Sequence, residues 1–426
     1  MQHAAVDQSQ AGGHTADIKV SGDDKAILRE LAKRVAELAA RPSEDQKRDR
    51  WYAHNGLRPG TAMVFCDPEN GWSEILPDDS LRCTGELART WEMKLRKEIF
   101  WGGQMGDDRV TEDYFDVPHV FSESGWGMHE IQVGGEHGGA YRWEAPLKRM
   151  EDIEKLRFPE IRVDGDRTGA LLNLAQETFG DVLRIRVKSA WWWTLGLTLT
   201  YVKLRGLEQM MYDMMDYPEE MHRLMAFLRD GTMARLDFLE KNGLLSANTD
   251  GTYVGSGGFG WTHELPRKKC GEQVRTADMW GFCESQETVS VSPAMFGEFV
   301  FPYQLPLLKR FGLNCYGCCE PLHNRWEIVK NTPRLRRVSV SPWCDLPRMA
   351  EMLGGDYILS VKPNPAHLAV EHLDEDFIRK GLRETMDTAR RFGCVVEIIM
   401  KDNNTLGGNP QNAVRWCAIA REEAAR

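Results

Sequence analysis

No apolar run in this sequence approaches the roughly 18 residues that a membrane helix needs, so no membrane-spanning helix is expected. The opening stretch 1–19 is polar and has no apolar h-region, which argues against a secretory leader and for a cytoplasmic address. No dense block of lysine and arginine appears and the formal charge is −10. A phosphate backbone is held mainly by such blocks, so nucleic acid is not an expected partner. No candidate strand ends directly on a GxGxxG, since the run Gly255 to Gly260 lies inside the excursion beyond 249, which disfavours an open, doubly wound sheet built around a dinucleotide. Ten cysteines in 426 residues do not make a disulfide scaffold, and most are expected to be buried thiols. The remaining partners are small molecules and other proteins, with room for a homo-oligomer.

What is present points to a folded enzyme. The chain has 14 Trp, 16 Phe and 10 Tyr and is 42% hydrophobic, enough apolar surface to offset the entropy of folding. Residues 1–22 carry Gly, Ser, Gln and His without periodicity and predict a disordered tail. From Asp23 onward, Leu28, Leu31, Ala32 and Val35 fall at i, i+3, i+4 and i+7, the stripe of a helix packed on the outside of the main body. A repeating grammar of short β-prone run, turn and amphipathic helix follows, with strands expected at 62–66, 183–188, 244–249, 279–284, 313–318, 337–341, 357–362 and 395–401. Several of these are continuous apolar runs, as strands covered on both faces should be. Ser292-Pro293, Asn364-Pro365 and Asn409-Pro410 each place a capping side chain before a proline, which suits the first turn of a helix. The alternation implies a parallel sheet, and about eight strands imply closure. The expected fold is therefore α/β, a (β/α)8 TIM barrel spanning 23–426, with an N-terminal helical and loop elaboration. Its cap is the Trp- and Gly-rich stretch at about 67–160.

In such a barrel the polar residues at strand C-terminal ends face a common mouth. Glu284 and Glu287 flank Gln286 there, as acid and base or as metal ligands, with solvated loop carboxylates as the plain alternative. Lys401-Asp402 ends the last strand, either orienting substrate or closing the barrel as a salt bridge. The run Asn314-Cys315-Tyr316-Gly317-Cys318-Cys319-Glu320-Pro321-Leu322-His323 puts thiols, a carboxylate and an imidazole within ten residues. Cys318, Cys319 and His323 suit zinc, unless the thiols merely pack in the turn. Trp192, Asp250, Gln286, Tyr316, Lys362, Asn364 and Asn404 are the expected substrate-binding residues, with Trp191-Trp192-Trp193 lining a flat pocket or packing a helix.

From about Leu183 to the C-terminus the sequence resembles the uroporphyrinogen decarboxylase superfamily. Ser292-Pro293-Ala294-Met295-Phe296-Gly297-Glu298-Phe299-Val300-Phe301-Pro302-Tyr303 resembles that family's "SP..F.EFV.PY" helix, Pro363-Asn364-Pro365-Ala366 its "GNLDP" turn, and Asn409-Pro410-Gln411-Asn412 its "TP.EN" cap. The resemblance implies a (β/α)8 barrel. The decarboxylase's arginine-rich "MRQAGRY" segment has no counterpart, since the equivalent strand reads Met63-Val64-Phe65-Cys66-Asp67-Pro68-Glu69-Asn70. Substrate carboxylates of a porphyrinogen would lack cationic partners there. The chain is closer to the corrinoid-linked, zinc-dependent methyltransferase branch, keeping Cys318 at a ligand position while Tyr316 replaces the histidine of His-x-Cys and Asp402 stands near the final cysteine.

The resemblance implies a demethylase-type methyltransferase, metal-assisted by zinc, that moves a methyl group between a small substrate and a corrinoid or tetrahydrofolate carrier. Glu284, Glu287, Lys401 and Asp402 are its expected catalytic residues. No Asp-x-His-x-x-Gly run occurs, so a corrinoid would arrive on a separate protein. Two other readings compete: a metal-free decarboxylase of a small carboxylic acid using Lys362 and Lys401, and a non-catalytic small-molecule-binding barrel.

Overall fold

In the computed structural model, which describes residues 17–129, 131–134, 141–266 and 273–426, the chain opens with two helices, α1 (Gly22–Ala39) and α2 (Pro42–Asn55). Ser21 caps α1 by accepting the Asp24 N–H at 3.1 Å. There follow β1 (Met63–Cys66), α3 (Glu86–Phe100), β2 (Tyr114–Val117), α4 (Gly165–Phe179), β3 (Arg184–Val187), α5 (Pro218–Lys241), β4 (Trp280–Cys283), β5 (Leu313–Tyr316), β6 (Leu335–Val340), β7 (Ile358–Val361), α6 (Glu375–Arg391), β8 (Val395–Met400) and α7 (Gln411–Ala424), with shorter helices between them and two antiparallel pairs of short strands between β2 and α4. The expected tail falls largely on residues 1–16, outside the described residues.

Six strands make one parallel sheet in the order β1-β8-β7-β6-β5-β4. Every residue of these six strands except Arg336 of β6 is buried, because helices cover the outer face and side chains fill the inner one. The helices contribute single stripes, such as Ile378, Leu382, Met386 and Ala389 of α6. Ser292, Asn364 and Asn409 cap the turns after their strands as expected, accepting N–H groups of Met295, Ala366 and Gln411.

The strands make the α/β, TIM-barrel-like arrangement expected, but among the described residues main-chain pairing does not close them into an eight-stranded ring. β3 pairs in parallel with β2 as a separate two-stranded sheet, packed with α1, α3 and α4 around Trp91, Phe115 and Phe179. The stretch 244–249, expected as a strand, is irregular. Its place beside β4 is taken by the Asn248 side chain, which accepts the Trp280 N–H at 2.8 Å and donates to the Trp280 carbonyl at 3.0 Å. The opposite edge is treated alike: Asp108 accepts the Val64 N–H at 2.8 Å and Asp107 the Cys66 N–H at 3.3 Å. Side chains thus take up part of the bonding on both edges of the six-stranded sheet, together with the main-chain N–H groups of Leu195 and Asp108, which donate to the Phe282 and Val64 carbonyls at 2.8 Å each.

The inside of the curved sheet is filled. Phe65, Phe259, Trp261 and Ile399 make one apolar cluster, and Val254, Trp280, Phe282 and Cys315 another. Between them runs a tight hairpin in which Tyr253 bridges Phe259. Among the described residues no helix is long and apolar enough to cross a membrane.

Candidate active site

At the centre of the sheet, Glu397 accepts from Ser360 Oγ at 2.5 Å, pairs with Arg337 Nε at 2.9 Å and meets His54 Nε2 at 3.0 Å. Burial alone would raise its pKa, but the Arg337 guanidinium and the His54 bond hold it well below the usual carboxylate range. Lys362 donates to Ser360 Oγ at 2.6 Å and to the Ser360 carbonyl at 3.2 Å, and burial lowers its pKa to about 8. The hairpin passes so close that a Cβ on Gly257 would stand 2.9 Å from Lys362 Nζ, and one on Gly258 would stand 2.7 Å from the Arg337 guanidinium. Only glycine fits there.

One layer further toward the strand ends lies Lys401, 3% exposed, with Nζ 3.7 Å from Glu69 Oε1 and 3.6 Å from Asp402 Oδ1. Cys319 Sγ is 3.7 Å from Asp402 Oδ2, and Cys318 Sγ is 3.7 Å from Cys319 Sγ. Glu69 and Asp402 follow neighbouring strands, and both are held left-handed, at φ 48° and 62°. Such positions cost energy for a residue with a side chain and cluster where geometry is over-determined. The exits are stitched together by Asn70 N–H to the Asn403 carbonyl at 3.1 Å and Asn403 Nδ2 to the Asp67 carbonyl at 2.6 Å. Burial raises Glu69 to about 8 and also raises Asp67. Burial works against the charge on Lys401, yet the acidic groups around it, Tyr253, Asp402, Cys318 and Glu69, outweigh that and hold it well above its ordinary value.

Beyond Cys318 the exit of β4 carries further acids. Glu284 is fully buried; Oε2 accepts the Gln286 N–H at 3.1 Å while Oε1 has no hydrogen bond. Burial, then the charges of Glu287 and Glu320, push it well above the carboxylate range. Glu287 is raised by burial too, and accepts from Thr198 Oγ1 at 2.7 Å. Glu320 accepts the Ser285 and Cys318 N–H groups at 2.8 and 2.9 Å, so a carboxylate sets the path of the thiol-bearing turn.

A cavity of about 1050 Å³ opens where β2 and β3 face the β4 edge. Its walls include Trp101, Trp192, Trp193 and Phe282. Tyr253 lies on its border, with its ring 6.0 Å from Lys401 Nζ. The inward row of β3 is cationic, and Arg186 and Lys188 both pair with Asp250, at 3.0 and 2.8 Å. Lys94 donates to the Asp116 carbonyl at 2.6 Å, lies 4.6 Å over the Phe115 ring, and makes no ion pair among the described residues. Glu112, on the same wall, is raised to about 7 by burial and by the charge of Asp250.

No family model matches the chain, and no curated protein matches it. Among solved structures it is similar in fold to a methyltransferase from Methanosarcina mazei. The two share 11% identity, with a TM-score of 0.52 over 89% of this chain and 99% of the other. That likeness spans nearly the whole of both chains and concerns the fold.

The expected site residues are distributed unevenly. Lys401, Asp402, Cys318 and Cys319 are brought together, and Glu284 lies close enough to Cys318 for their charges to interact. Gln286 and Glu287 form the turn beside Glu284. Trp192 lines the cavity, and Asp250 anchors its cationic wall. Tyr316 points to the outer face and donates to Gln304 Oε1 at 2.6 Å. Asn364 is a cap, and exposed Asn404 accepts from Asn70 Nδ2 at 2.9 Å. The expected zinc ligands are split, because His323 Nδ1 accepts the Asp345 N–H at 3.2 Å while the thiols face Asp402. Among the described residues no three His, Cys, Asp or Glu side chains converge as a ligand set. The Lys401 ammonium already stands between Glu69 and Asp402, and the residues present do not fit a zinc ion. Asp67, Glu69, Lys188 and Tyr253 were not among the expected residues. The first three sit at strand exits, where the rule that found Lys401 applies equally.

Proposed function

We propose that the chain is a methyltransferase of the demethylase type, removing a methyl group from a flat, aromatic, anionic substrate held in the cavity between the β2–β3 pair and β4. The observation that carries this reading is Glu112, an acid raised to about 7 on the wall of an aromatic cavity of about 1050 Å³. A methyl ether gives up its methyl group as the C–O bond breaks and the electron pair stays on oxygen. A carboxylic acid protonated near neutrality supplies the proton that this oxygen needs. Trp192, Trp193 and Phe282 supply faces for a ring. Lys94, without an ion-pair partner among the described residues, supplies a cation for a carboxylate. The end-to-end fold likeness to a methyltransferase supports the same reading. The acceptor is a second substrate, a corrinoid or tetrahydrofolate carrier, with a corrinoid presented by a separate protein.

The test is anaerobic incubation with methoxylated aromatic acids and either reduced cobalamin or tetrahydrofolate, following the free phenol by mass spectrometry. Phenol release that falls in Glu112→Gln supports the proposal. Release of carbon dioxide with the methoxy group intact overturns it in favour of a lyase. That alternative is supported by a separate observation, the buried cations Arg337, Lys362 and Lys401 beneath the mouth.

A further inference from the structure

Two cysteines at the exit of β5 take no part in the proposed methyl transfer. Cys318 and Cys319 are adjacent in the chain, and their sulfurs stand 3.7 Å apart, in van der Waals contact. Successive side chains on an extended chain point to opposite faces, so this contact needs a bent backbone. Gly317, at φ 96°, provides the bend. The turn is then held in place: Ser256 Oγ donates to the Gly317 carbonyl at 3.2 Å, Ser339 Oγ donates to the Cys318 carbonyl at 3.2 Å, and the Cys318 N–H donates to Glu320 Oε2 at 2.9 Å. The two thiols differ in surroundings. Cys318 is 3% exposed and belongs to the buried cluster of Val254, Trp280 and Phe282, whereas Cys319 is half-buried at the mouth, its Sγ 3.7 Å from Asp402 Oδ2. Contact with Cys319, and then burial, keep Cys318 a protonated thiol. One thiol is therefore open to a small oxidant while the other is held beside it, the arrangement of an attacking and a resolving cysteine.

We propose that Cys318 and Cys319 form a reversible oxidation site that closes into a disulfide between adjacent residues, with hydrogen peroxide as the oxidant. The Cys319 sulfur, as thiolate, attacks one peroxide oxygen. The O–O bond breaks, and the other oxygen leaves as hydroxide and takes up the proton that Cys319 gave, so that a sulfenic acid and one water result. The Cys318 sulfur then attacks the sulfenic sulfur; the S–O bond breaks, and the departing hydroxide takes the Cys318 proton as a second water. Two electrons have passed from the sulfur pair to the peroxide, and an S–S bond remains. The Cα atoms of adjacent residues are about 3.8 Å apart, short of the roughly 4.4–6.8 Å that a disulfide usually spans. The bond is therefore strained and easily reduced, which suits a transient mark in a reducing compartment. Because Cys318 is packed in its cluster, closure draws Cys319 Sγ away from Asp402 and leaves that carboxylate to Lys401, 3.6 Å away. The inference does not depend on the methyl-transfer reading, since no step of that reaction uses either thiol.

To test it, the full-length protein is reduced, freed of reductant and treated with increasing equivalents of hydrogen peroxide. It is then unfolded, alkylated with N-ethylmaleimide, digested with trypsin and mapped by mass spectrometry. Cleavage after Arg310 and Arg325 releases residues 311–325, which carry Cys315, Cys318 and Cys319. We expect this peptide to lose two alkylation sites and two hydrogens, its fragment ions to leave Cys315 alkylated, and reduced glutathione to reverse the loss. Cys319→Ser should abolish the loss, with Cys318 staying alkylatable. The proposal is overturned by a Cys315–Cys318 bridge, by Cys319 carried on to sulfinic acid with Cys318 free, by a disulfide-linked dimer, or by a peptide left unchanged. A bond that reduced glutathione leaves closed overturns it too. Should Cys319→Ser fail to fold, the wild-type map decides alone.

Discussion

Cys319 Sγ lies 3.7 Å from Asp402 Oδ2, although 83 positions separate the two residues in the chain. β5 and β8 are not neighbours; β6 and β7 lie between them in the sheet. Their exits meet because the parallel sheet curves around the hairpin that carries Tyr253. A common mouth therefore needs curvature and a filled interior, and does not need an unbroken ring of main-chain hydrogen bonds. The edges capped by Asn248, Asp107 and Asp108 leave room for the cavity beside β4.

Glu397 is the pin of the interior. Its folded pKa is depressed, so the stability it contributes is present above its unfolded value of about 4.3 and is lost as pH falls below that. Glu397→Gln leaves Arg337 buried without its charge partner, which costs about 3–5 kcal/mol. Urea unfolding at neutral pH should show that loss, and the difference between variant and wild type should shrink in acid. Equal midpoints at neutral pH would show that the pair is not structural.

Gly258 stands at φ +76°, where a Cβ would meet the Arg337 guanidinium and Glu397 Oε2 at 2.7 Å. Gly258→Ala should lower stability by about 2 kcal/mol or more, from combined strain and overlap. Gly22→Ala, with open space around it, should be nearly neutral. Thermal unfolding of the two variants side by side separates the site effect from the general cost of replacing glycine.

Much of the architecture was legible because apolar runs such as Ile358–Val361 and Val395–Met400 leave few alternatives to a strand covered on both faces. The stretch 244–249 misled because it has the composition of a strand, while the Asn248 amide does the bonding that its backbone would have done. Lys401 and Asp402 were legible as a strand exit. Tyr316, an expected substrate-binding residue, stands instead on the outer face, where alternation from Leu313 and Cys315 puts it. Gly317, at φ 96°, then breaks that alternation and returns Cys318 to the inside, which composition alone does not reveal. The pairing of Glu69 with Lys401 depends on the β1–β8 register, a long-range property absent from any local window.

Lys94 offers a test of how the cavity reads its ligand. If it receives the substrate carboxylate, Lys94→Met should raise KM for methoxylated aromatic acids and leave kcat nearly unchanged, because the contact is made equally in ground and transition states. The same variant should not discriminate against an uncharged methoxyarene. A fall in kcat with KM constant would instead place Lys94 at the reacting bond.

Glu112 gives the pH dependence its sign. Its pKa is raised to about 7 in the folded chain, so it is the protonated acid that the folded state favours. Folded protein then binds more protons than unfolded protein between about pH 4.3 and 7. Over that window the contribution of Glu112 to stability diminishes as pH rises, opposite in direction to that of Glu397. Activity that needs the acid form should fall as pH climbs through 7, and Glu112→Gln should abolish that limb while lowering kcat by about 10²–10⁴. Should the variant keep the wild-type pH limb at reduced rate, the titrating acid is another group. Glu69, raised to about 8 beside Lys401, is then the residue to replace.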